Sequence, residues 1–211
     1  MEQNIAILIA DLSGYTALTE VHGPSTAADI IETYVALVQA SLVGNSRLHQ
    51  RIGDEVLIVS DTADALLTTG VQLLQRAHRQ AEFLQLHGAL HYGTILHRNN
   101  DYYGNTINVT SRMASKANAG TMVCSTDFIQ ALNNKEVLEF QSKGKHSFKN
   151  VSEEKEVLEL VIDRPEAFYT DPICRMLVNI THSQYVHPLN PGIYFCSQHC
   201  LDMYLKNESK C

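Results

Sequence analysis

The sequence lacks three features that would each indicate a particular class of protein. It contains no apolar stretch near the roughly 18 residues that cross a membrane, no cluster of lysine and arginine, and no low-complexity tract. The formal net charge is −7. Because non-specific nucleic-acid binding depends on a basic surface, neither DNA nor RNA is expected as a ligand. Apolar residues make up 45% of the chain and charged residues 18%, as is typical of a globular protein.

The chain begins with MEQNIAILIADLS, a short apolar run that has acidic residues on both sides. A secretory signal peptide has a basic start and a longer apolar segment. We therefore expect a cytoplasmic protein that does not bind a membrane. A length of 211 residues is enough for one large core, or for one domain with a small appendage.

The spacing of apolar residues predicts alternating strands and helices. A strand at about 4–11 precedes a helix at about 25–43, a hairpin around Gly53-Asp54 and a second helix at about 62–83. The segment LQLHGALHYGTIL reads as a further strand, and TINVTSRMASKANAG as a helix that ends at a glycine. This mixed order predicts an α+β fold in which helices pack on a mixed sheet.

The composition changes near Asp163-Arg164-Pro165, after which Cys, His, Tyr and Pro become frequent. We predict a first domain at 1–163 and a small Cys-rich module at 164–211, which is too short to form a large core alone. One cysteine lies at position 124, and the others lie from position 174 onward. In a cytosolic chain this clustering indicates metal or thiol chemistry rather than a disulfide framework.

Two acidic residues stand where predicted strands end or turn. Asp11 ends the first strand, and Asp54 follows Gly53 at the hairpin tip. If the two strands are neighbours, both carboxylates lie at one edge of the sheet and offer oxygen ligands to Mg²⁺ or Mn²⁺. The loop LSGYT after Asp11 fits a bound phosphate, because Gly14 permits close approach and backbone amides bind phosphate oxygens. Each acid alone reads equally well as a cap or turn residue, and only the combination favours a metal site.

Four motifs occur in the order and spacing of the class III nucleotidyl cyclase catalytic domain: IADLSGYTALTE, RIGDEVLIVSD, ALHYGTI and DYYGNTINVTSRM. Over about residues 4–161 the sequence resembles this family, which makes cyclic AMP or cyclic GMP. The resemblance implies a ferredoxin-like cyclase homology domain. It also implies a homodimer with shared active sites, in which one subunit supplies the metal-binding acids and the other supplies an asparagine and an arginine.

The resemblance implies roles for residues that match the family motifs. Asp11 and Asp54 would ligate two ions, Mg²⁺ or Mn²⁺, with help from the carbonyl of Leu12. The triphosphate would be bound by residues of the first loop and by one distant lysine: Gly14, Tyr15, Thr16 and Lys149.

Four further positions concern the nucleoside. Asn108 and Arg112 lie four apart on one face of the predicted helix and match the residues that orient the ribose and stabilise charge on the reacting phosphate. Asp101 matches the position that reads the purine. Gln50 departs from the family, because cyclases that prefer adenine have lysine there. A glutamine amide can donate or accept, so Gln50 suits ATP or GTP, whereas Asp101 suits the adenine amino group and favours ATP.

The segments DPICRMLV and PGIYFCSQHC resemble the small YHS domain, over about residues 170–205. Arg175 stands where that domain usually has glycine. The resemblance implies a metal cluster of Cys174, Cys196 and Cys200, and three thiolates with an imidazole suit Zn²⁺ or Cu⁺. The expected fourth ligand is one of the nearby histidines: His182, His187 or His199. The remaining histidines, among them His22 and His87, are scattered and receive no role.

The favoured hypothesis is a purine nucleotidyl cyclase that converts ATP, or GTP, to the 3′,5′-cyclic nucleotide and pyrophosphate. An alternative is a weakly active or inactive cyclase-like domain that binds nucleotide or dimerises and is coupled to a metal- or redox-sensing YHS module. A third reading is a ferredoxin-like scaffold with a metal-carrying tail. Retention of the metal-binding acids and the Asn–Arg pair favours the first hypothesis, whereas Gln50 is the only mark of the second.

Overall fold

Strands and helices alternate through most of the chain. The computed structural model describes residues 1–136, 138–149, 151, 154–162 and 167–209. In chain order, the elements are β1 (Glu2–Ser13), α1 (Tyr15–Ser41), β2 (Arg47–Ile52), β3 (Glu55–Ser60), α2 (Ala63–Arg79), β4 (Gln85–Arg98), β5 (Asp101–Tyr103), α3 (Asn105–Ala114), β6 (Thr121–Ser125), α4 (Thr126–Gln130), β7 (Phe140–His146), β8 (Lys155–Leu160), β9 (Phe168–Thr170), β10 (Leu177–Asn179), β11 (Tyr185–Val186), β12 (Tyr194–Phe195) and α5 (Gln198–Glu208).

A mixed sheet forms the centre of the protein, as the α+β prediction required. Its strand order is β2-β3-β1-β4-β6-β8-β7, and β5 pairs with β4. The central strands β4 and β6 are parallel, whereas β1 is antiparallel to both of its neighbours, β3 and β4. Within the described ranges, no helix is both long enough and apolar enough to cross a lipid bilayer.

Both faces of the sheet are buried because alternate residues of the central strands point in opposite directions. Along β1, Ala6, Leu8 and Ala10 pack in one apolar cluster with α1 and α2. Their neighbours Ile7 and Ile9 belong to the other cluster, with side chains of α3. The continuous apolar run in β1 is therefore explained by burial on both faces.

The helix α1 begins ten residues earlier than predicted and contains a kink. The sequence predicted a helix from position 25, but α1 is Tyr15–Ser41, with non-helical torsions at Gly23 (φ 81°, ψ 174°). Pro24 follows this glycine, and proline fits the first turn of a helix because its missing N–H would have no partner there. The short helical segment 15–22 therefore lies between the loop after β1 and the kink. Predicted ends were also too late for the next two long helices, since α2 ends at Arg79 and α3 at Ala114.

The C-terminal residues pack on the same face of the sheet as α1 and α2. Phe195 and Cys200 are fully buried and belong to the apolar cluster that contains Phe83. Backbone hydrogen bonds fix the contact, since Leu177 N donates to Phe83 O at 2.7 Å and Glu82 N donates to Leu177 O at 3.1 Å. The C-terminal segment and the sheet therefore share one core.

The predicted domain boundary at 163/164 lies outside the described residues. The division into 1–163 and 164–211 stays a prediction. The shared core implies that the C-terminal segment and the sheet stabilise each other.

We expect Phe195→Ala to lower the free energy of unfolding of the whole chain by about 3 to 4 kcal/mol, because it leaves a cavity in the shared core. Urea unfolding followed by far-ultraviolet circular dichroism measures the change. The control is Leu189→Ala, since Leu189 is 90% exposed and its loss should change stability by less than about 0.5 kcal/mol. An unchanged main transition in Phe195→Ala would show that the C-terminal segment unfolds separately.

Candidate active site

Asp11 and Asp54 meet at one end of the neighbouring strands β1 and β3. These strands are antiparallel with Ala10 opposite Val56, so the end of β1 lies beside the tip of the β2–β3 hairpin. Gly53 has a φ of 62°, a torsion that glycine adopts without strain, and it allows the tight turn before Asp54. The two carboxyl groups lie within hydrogen-bonding distance of each other. The expected juxtaposition is present, and the metal-binding role of the pair stays a prediction.

Burial and like charge perturb the ionisation of this carboxyl pair. Burial, followed by the charge of Asp11, raises the pKa of Asp54 to about 6. Burial also raises the pKa of Asp11, although hydrogen bonds from Asp54 and from the Leu12 N–H oppose this shift. Burial and the charge of Asp54 raise the pKa of the adjacent Glu55. Carboxylates that repel one another are suited to a divalent cation, and a purely oxygen donor set fits Mg²⁺ or Mn²⁺.

Two residues without an assigned role hold the end of β1 in position. The buried Tyr34 of α1 donates its hydroxyl hydrogen to Ala10 O at 3.1 Å. His87 lies opposite Asp11 in the β1–β4 register, with Nδ1 2.9 Å from Ser13 Oγ and Nε2 3.9 Å from Asp11 Oδ2. Burial lowers the pKa of His87. Only the strand register reveals this histidine, because no local motif places it near Asp11.

The loop after Asp11 leads directly into the start of α1. Gly14 precedes the helix with φ 95° and ψ 13°, a left-handed conformation that favours glycine. No side chain in the described ranges caps this helix start. An uncapped helix start leaves N–H groups available to an anion, and the helix dipole adds to the attraction. Tyr15 and Thr16 begin the helix, so the predicted phosphate-binding residues lie beside the carboxyl pair.

Gln50 and Asn108 line one cavity of about 190 Å³ between the β2–β3 hairpin and α3. Glu55 and Ser111 also line it. Asn108 is exposed at the surface of α3. The structure therefore brings a predicted purine-reading residue next to the predicted ribose-orienting residue within one chain.

The other predicted nucleotide-binding residues have local partners. Asp101 Oδ1 lies 3.2 Å from His49 Nε2 and accepts the Tyr102 N–H at 2.8 Å. The Tyr102 hydrogen bond, followed by the one with His49, lowers the pKa of Asp101. The Arg112 guanidinium donates to the carbonyl oxygen of Lys149, so these two residues are adjacent. Their roles towards a nucleotide stay predictions.

A second group of chemically reactive side chains lies in the C-terminal segment. Cys174 Sγ is 3.3 Å from Cys196 Sγ, which is 3.6 Å from Cys200 Sγ. His22 Nε2 lies 3.5 Å from Cys196 Sγ and 3.6 Å from Cys200 Sγ. The four ligand atoms all lie within 4.8 Å of one another. This arrangement is a possible Cys/His metal site.

The expectation of a fourth ligand from the C-terminal segment was wrong. His187 Nε2 lies 2.9 Å from Glu208 Oε2, and neither His182 nor His199 belongs to the cluster. The nearby side chain is His22, which lies 174 positions before Cys196 in the sequence. Spacing along the chain carries no sign of this contact, because it arises only when the C-terminal segment packs on α1.

The chain belongs to the family described as adenylate and guanylate cyclase catalytic domain, whose sequence model matches residues 1–162. Among curated relatives, an adenylate cyclase of Glutamicibacter nicotianae is 35% identical over 127 residues, which are 60% of this chain and 31% of that protein. An uncharacterized protein of Mycobacterium tuberculosis is 35% identical over 115 residues, which are 54% of this chain and 30% of that protein. The chain thus spans less than a third of the length of these relatives.

Solved cyclase structures share the fold. An adenylate/guanylate cyclase/hydrolase from Silicibacter pomeroyi has a TM-score of 0.63 and 23% identity, covering 77% of this chain and 99% of that chain. Adenylate cyclases from Trypanosoma brucei in their monomeric state give a TM-score of 0.68 and 18% identity, with coverages of 74% and 87%. The sequence-based assignment to a cyclase homology domain is confirmed. The YHS-type resemblance of the C-terminal segment stays a prediction.

We expect Asp54→Asn to stabilise the protein at neutral pH when no Mg²⁺ or Mn²⁺ is added. Because the pKa of Asp54 rises from 3.8 to about 6 on folding, its contribution to stability is lost as the pH rises through about 4 to 6. A neutral amide removes this penalty. The gain is on the order of 1 kcal/mol, since the partial exposure of Asp54 weakens the effect.

Urea unfolding of both proteins at pH 4.5 and pH 7.5 measures the difference, which should be larger at the higher pH. Asp29→Asn is the matched control, because Asp29 is an exposed acid of α1. A stability difference that is the same at both pH values would contradict the assigned ionisation of the pair.

Proposed function

We propose that this protein is a purine nucleotidyl cyclase that converts ATP, or GTP, to the 3′,5′-cyclic nucleotide and pyrophosphate. The observation that carries the proposal is the meeting of the Asp11 and Asp54 carboxyl groups beside the uncapped start of α1. Carboxylates hold divalent cations and helix-start N–H groups hold phosphate oxygens. One edge of the sheet therefore offers both parts of a binding site for a metal–triphosphate complex. Family membership supports the reaction class.

In the proposed reaction the ribose 3′-oxygen bonds to the α-phosphorus, while the bond between that phosphorus and the pyrophosphate oxygen breaks. The proton of the 3′-hydroxyl leaves to water. Mg²⁺ or Mn²⁺ ions held by Asp11, Asp54 and the carbonyl of Leu12 would neutralise charge and acidify the 3′-hydroxyl. Asp54 holds a cation best when ionised, so activity should decline below the pH at which Asp54 becomes protonated.

The side chains of α3 position the reacting groups. Asn108 would hold the ribose, and Arg112 would stabilise negative charge as it develops on the α-phosphate. Lys149, whose backbone carbonyl accepts from Arg112, would bind the triphosphate. Positioning and charge stabilisation are the main contributions in phosphoryl transfer of this kind.

We propose that two copies associate head to tail about a two-fold axis and share two equivalent sites. Exposed apolar side chains near the predicted nucleotide-binding residues support such an interface, since Ile52 is 64% exposed and Tyr103 is 51% exposed. A crystal structure of a non-canonical dimeric guanylyl cyclase domain from Blastocladiella emersonii resembles this chain, with a TM-score of 0.60; it supports association of two copies and carries no argument for the head-to-tail arrangement.

The proposal is tested by incubating the protein with ATP or GTP and Mn²⁺ and identifying the product by chromatography. Asp54→Ala should abolish turnover, and Arg112→Ala should lower it about 100-fold. In an equimolar mixture of the two variants, half of the dimers have one intact site, so roughly one quarter of wild-type activity should return.

Asp29→Ala serves as the control, because it removes an exposed acid from α1 outside the site. Cyclic product that forms equally with wild type and Asp54→Ala would refute the enzyme assignment. Failure of the mixture to recover activity would refute the shared sites. Nucleotide binding without turnover would support the alternative of an inactive cyclase-like domain.

Gln50 and Asp101 bear on the choice between ATP and GTP. Similar structures include a guanylate cyclase domain from Catenaria anguillulae in complex with GTP and a rhodopsin-guanylyl cyclase core with converted specificity in complex with ATPαS. Asp101, held ionised by its hydrogen bonds, accepts from an amino group such as that of adenine. We therefore propose ATP as the preferred substrate.

We expect Gln50→Lys to raise the ratio of kcat/KM for ATP to that for GTP by about tenfold. A lysine side chain can only donate hydrogen bonds, whereas the guanine N1–H requires an acceptor. Leaving that buried donor unpaired costs a binding free energy that corresponds to about a tenfold loss. Steady-state kinetics with both nucleotides measures the ratio, and Gln3→Lys on the exposed part of β1 is the control. A ratio that stays constant or falls would show that Gln50 does not read the purine.

A further inference from the structure

We propose that His22, Cys174, Cys196 and Cys200 bind one Zn²⁺ ion, which fastens the C-terminal segment to α1 and holds Arg175 at the phosphate-binding loop. A tetrahedral site with Zn–S bonds of about 2.3 Å has ligand–ligand edges of roughly 3.8 Å. Four of the six separations between ligand atoms are 3.3 to 3.6 Å, close to these edges, and all six lie within 4.8 Å. Three thiolates and one imidazole complete a four-coordinate site of the structural kind, which has no open position.

Hydrogen bonds within the chain position the backbone that carries the cysteines. Asp171 is fully buried, and its Oδ1 accepts the N–H of Cys174 at 3.2 Å while its Oδ2 accepts the N–H of Cys196 at 2.8 Å. Ser197 caps α5 by accepting the N–H of Cys200 at 3.2 Å. These contacts fix ligand positions, as outer residues do in metal sites. The same carboxylate accepts the N–H of Ile173 at 2.7 Å, so Asp171 holds the turn that carries Cys174 and links it to the turn that carries Cys196.

The ligands come from both parts of the chain. Cys174, Cys196 and Cys200 belong to the C-terminal segment, whereas His22 is the last residue before the α1 kink at Gly23. An ion at this point therefore links the C-terminal segment to the short helical segment 15–22. The other end of that helical segment adjoins the loop that ends at Gly14.

Arg175, the residue after the first ligand cysteine, packs directly on that loop. A Cβ atom added to Gly14 would lie 2.4 Å from Arg175 Cβ and 2.6 Å from its Cγ, so only glycine fits there. Arg175 itself has a φ of 70°, a left-handed torsion that is strained for any residue with a side chain. Strained torsions that persist in a fold often mark a functional position.

Arg175 is exposed, and its guanidinium forms no hydrogen bond or ion pair with the residues that the structure describes. The Cβ and Cγ of Arg175 lie beside Gly14, so its side chain brings a positive charge to the neighbourhood of the uncapped start of α1, where the triphosphate is proposed to lie. Guanidinium groups bind phosphate oxygens through two parallel donors. Zinc binding therefore sets the affinity of the loop for triphosphate. This last step rests on the proposed cyclase function, whereas the metal site does not.

The metal site is tested by elemental analysis of the full chain and by competition with a chromogenic zinc chelator. Wild type should hold one Zn²⁺ per chain. His22→Ala should weaken Zn²⁺ binding by more than the about 10- to 100-fold that loss of an outer residue causes. His199→Ala is the matched control, because His199 is exposed beside Cys200 but lies outside the cluster, and its zinc affinity should match wild type.

Three results would overturn the zinc site. They are absence of zinc binding, equal zinc affinity in wild type and His22→Ala, and a preference for Cu⁺ that does not depend on His22. Circular dichroism of the variants shows whether a loss of zinc reflects a failure to fold, and Asp171→Asn provides a second variant that leaves all four ligands intact. It should weaken zinc binding about 10- to 100-fold.

The Arg175 step is tested by binding of inorganic tripolyphosphate in the presence of Mg²⁺, which needs no turnover. Arg175→Gly keeps the left-handed backbone and removes the charge, so it should weaken binding about tenfold while zinc content and stability stay at least at wild-type levels. Arg175→Lys should retain more of the affinity. Equal or tighter binding by Arg175→Gly would overturn the role of Arg175.

The same measurements separate this inference from the proposed function. If wild type makes no cyclic nucleotide but binds zinc through His22, the cyclase proposal fails and the metal site stands. If the enzyme is active and His22→Ala retains zinc, the metal proposal fails alone. In an active enzyme, removal of zinc should raise the KM for ATP about as much as Arg175→Gly does.

Discussion

The structure depends on holding two acidic side chains together against their mutual repulsion. Asp11 and Asp54 are 43 positions apart in the numbering, and the antiparallel register of β1 and β3 makes them neighbours. Burial, followed by the charge of Asp11, raises the pKa of Asp54, and this shift is the electrostatic cost of placing the pair there. Such a cost is tolerated at sites where a cation removes it. The buried Tyr34, bonded to Ala10 O, and the packing of both sheet faces keep the pair from separating.

Much of the fold and part of the site could be predicted because they follow from local patterns. The apolar run of β1, the Gly53-Asp54 turn and the motif after Asp11 each lie within a few residues, and they located the carboxyl pair. The start of α1 was missed since Gly23 and Pro24 look like a helix start, whereas the structure continues a helical segment before the kink. Helical order there depends on burial of Leu18 in the core, which is a tertiary effect.

The residues that prediction missed are those whose importance depends on distant packing. His87 acquires its place only through pairing of β4 with β1. His22 acquires its place only when the C-terminal segment packs on α1. A local motif indicates the candidate metal ligands within one segment, and it gives no information about a ligand from a distant segment. Histidine makes this failure common, because a single imidazole can complete a site without any neighbouring motif.

Gly14 connects the two candidate sites, because it ends the loop after Asp11 and contacts Arg175, the residue after the first cysteine of the Cys/His cluster. Its left-handed torsion is required for the turn from β1 into α1, and its missing side chain is required for contact with Arg175. A glycine that served the turn alone would have open space beside it, as Gly53 does. At Gly14 that space is filled by a charged residue in a strained conformation. Arg175 has a strained backbone torsion, and Gly14 has no side chain where the two residues meet. Together these features indicate that the fold requires close contact between the C-terminal segment and this loop. The loop proposed to bind phosphate therefore lies between two features, the carboxyl pair at the end of the sheet and the arginine of the Cys-rich segment.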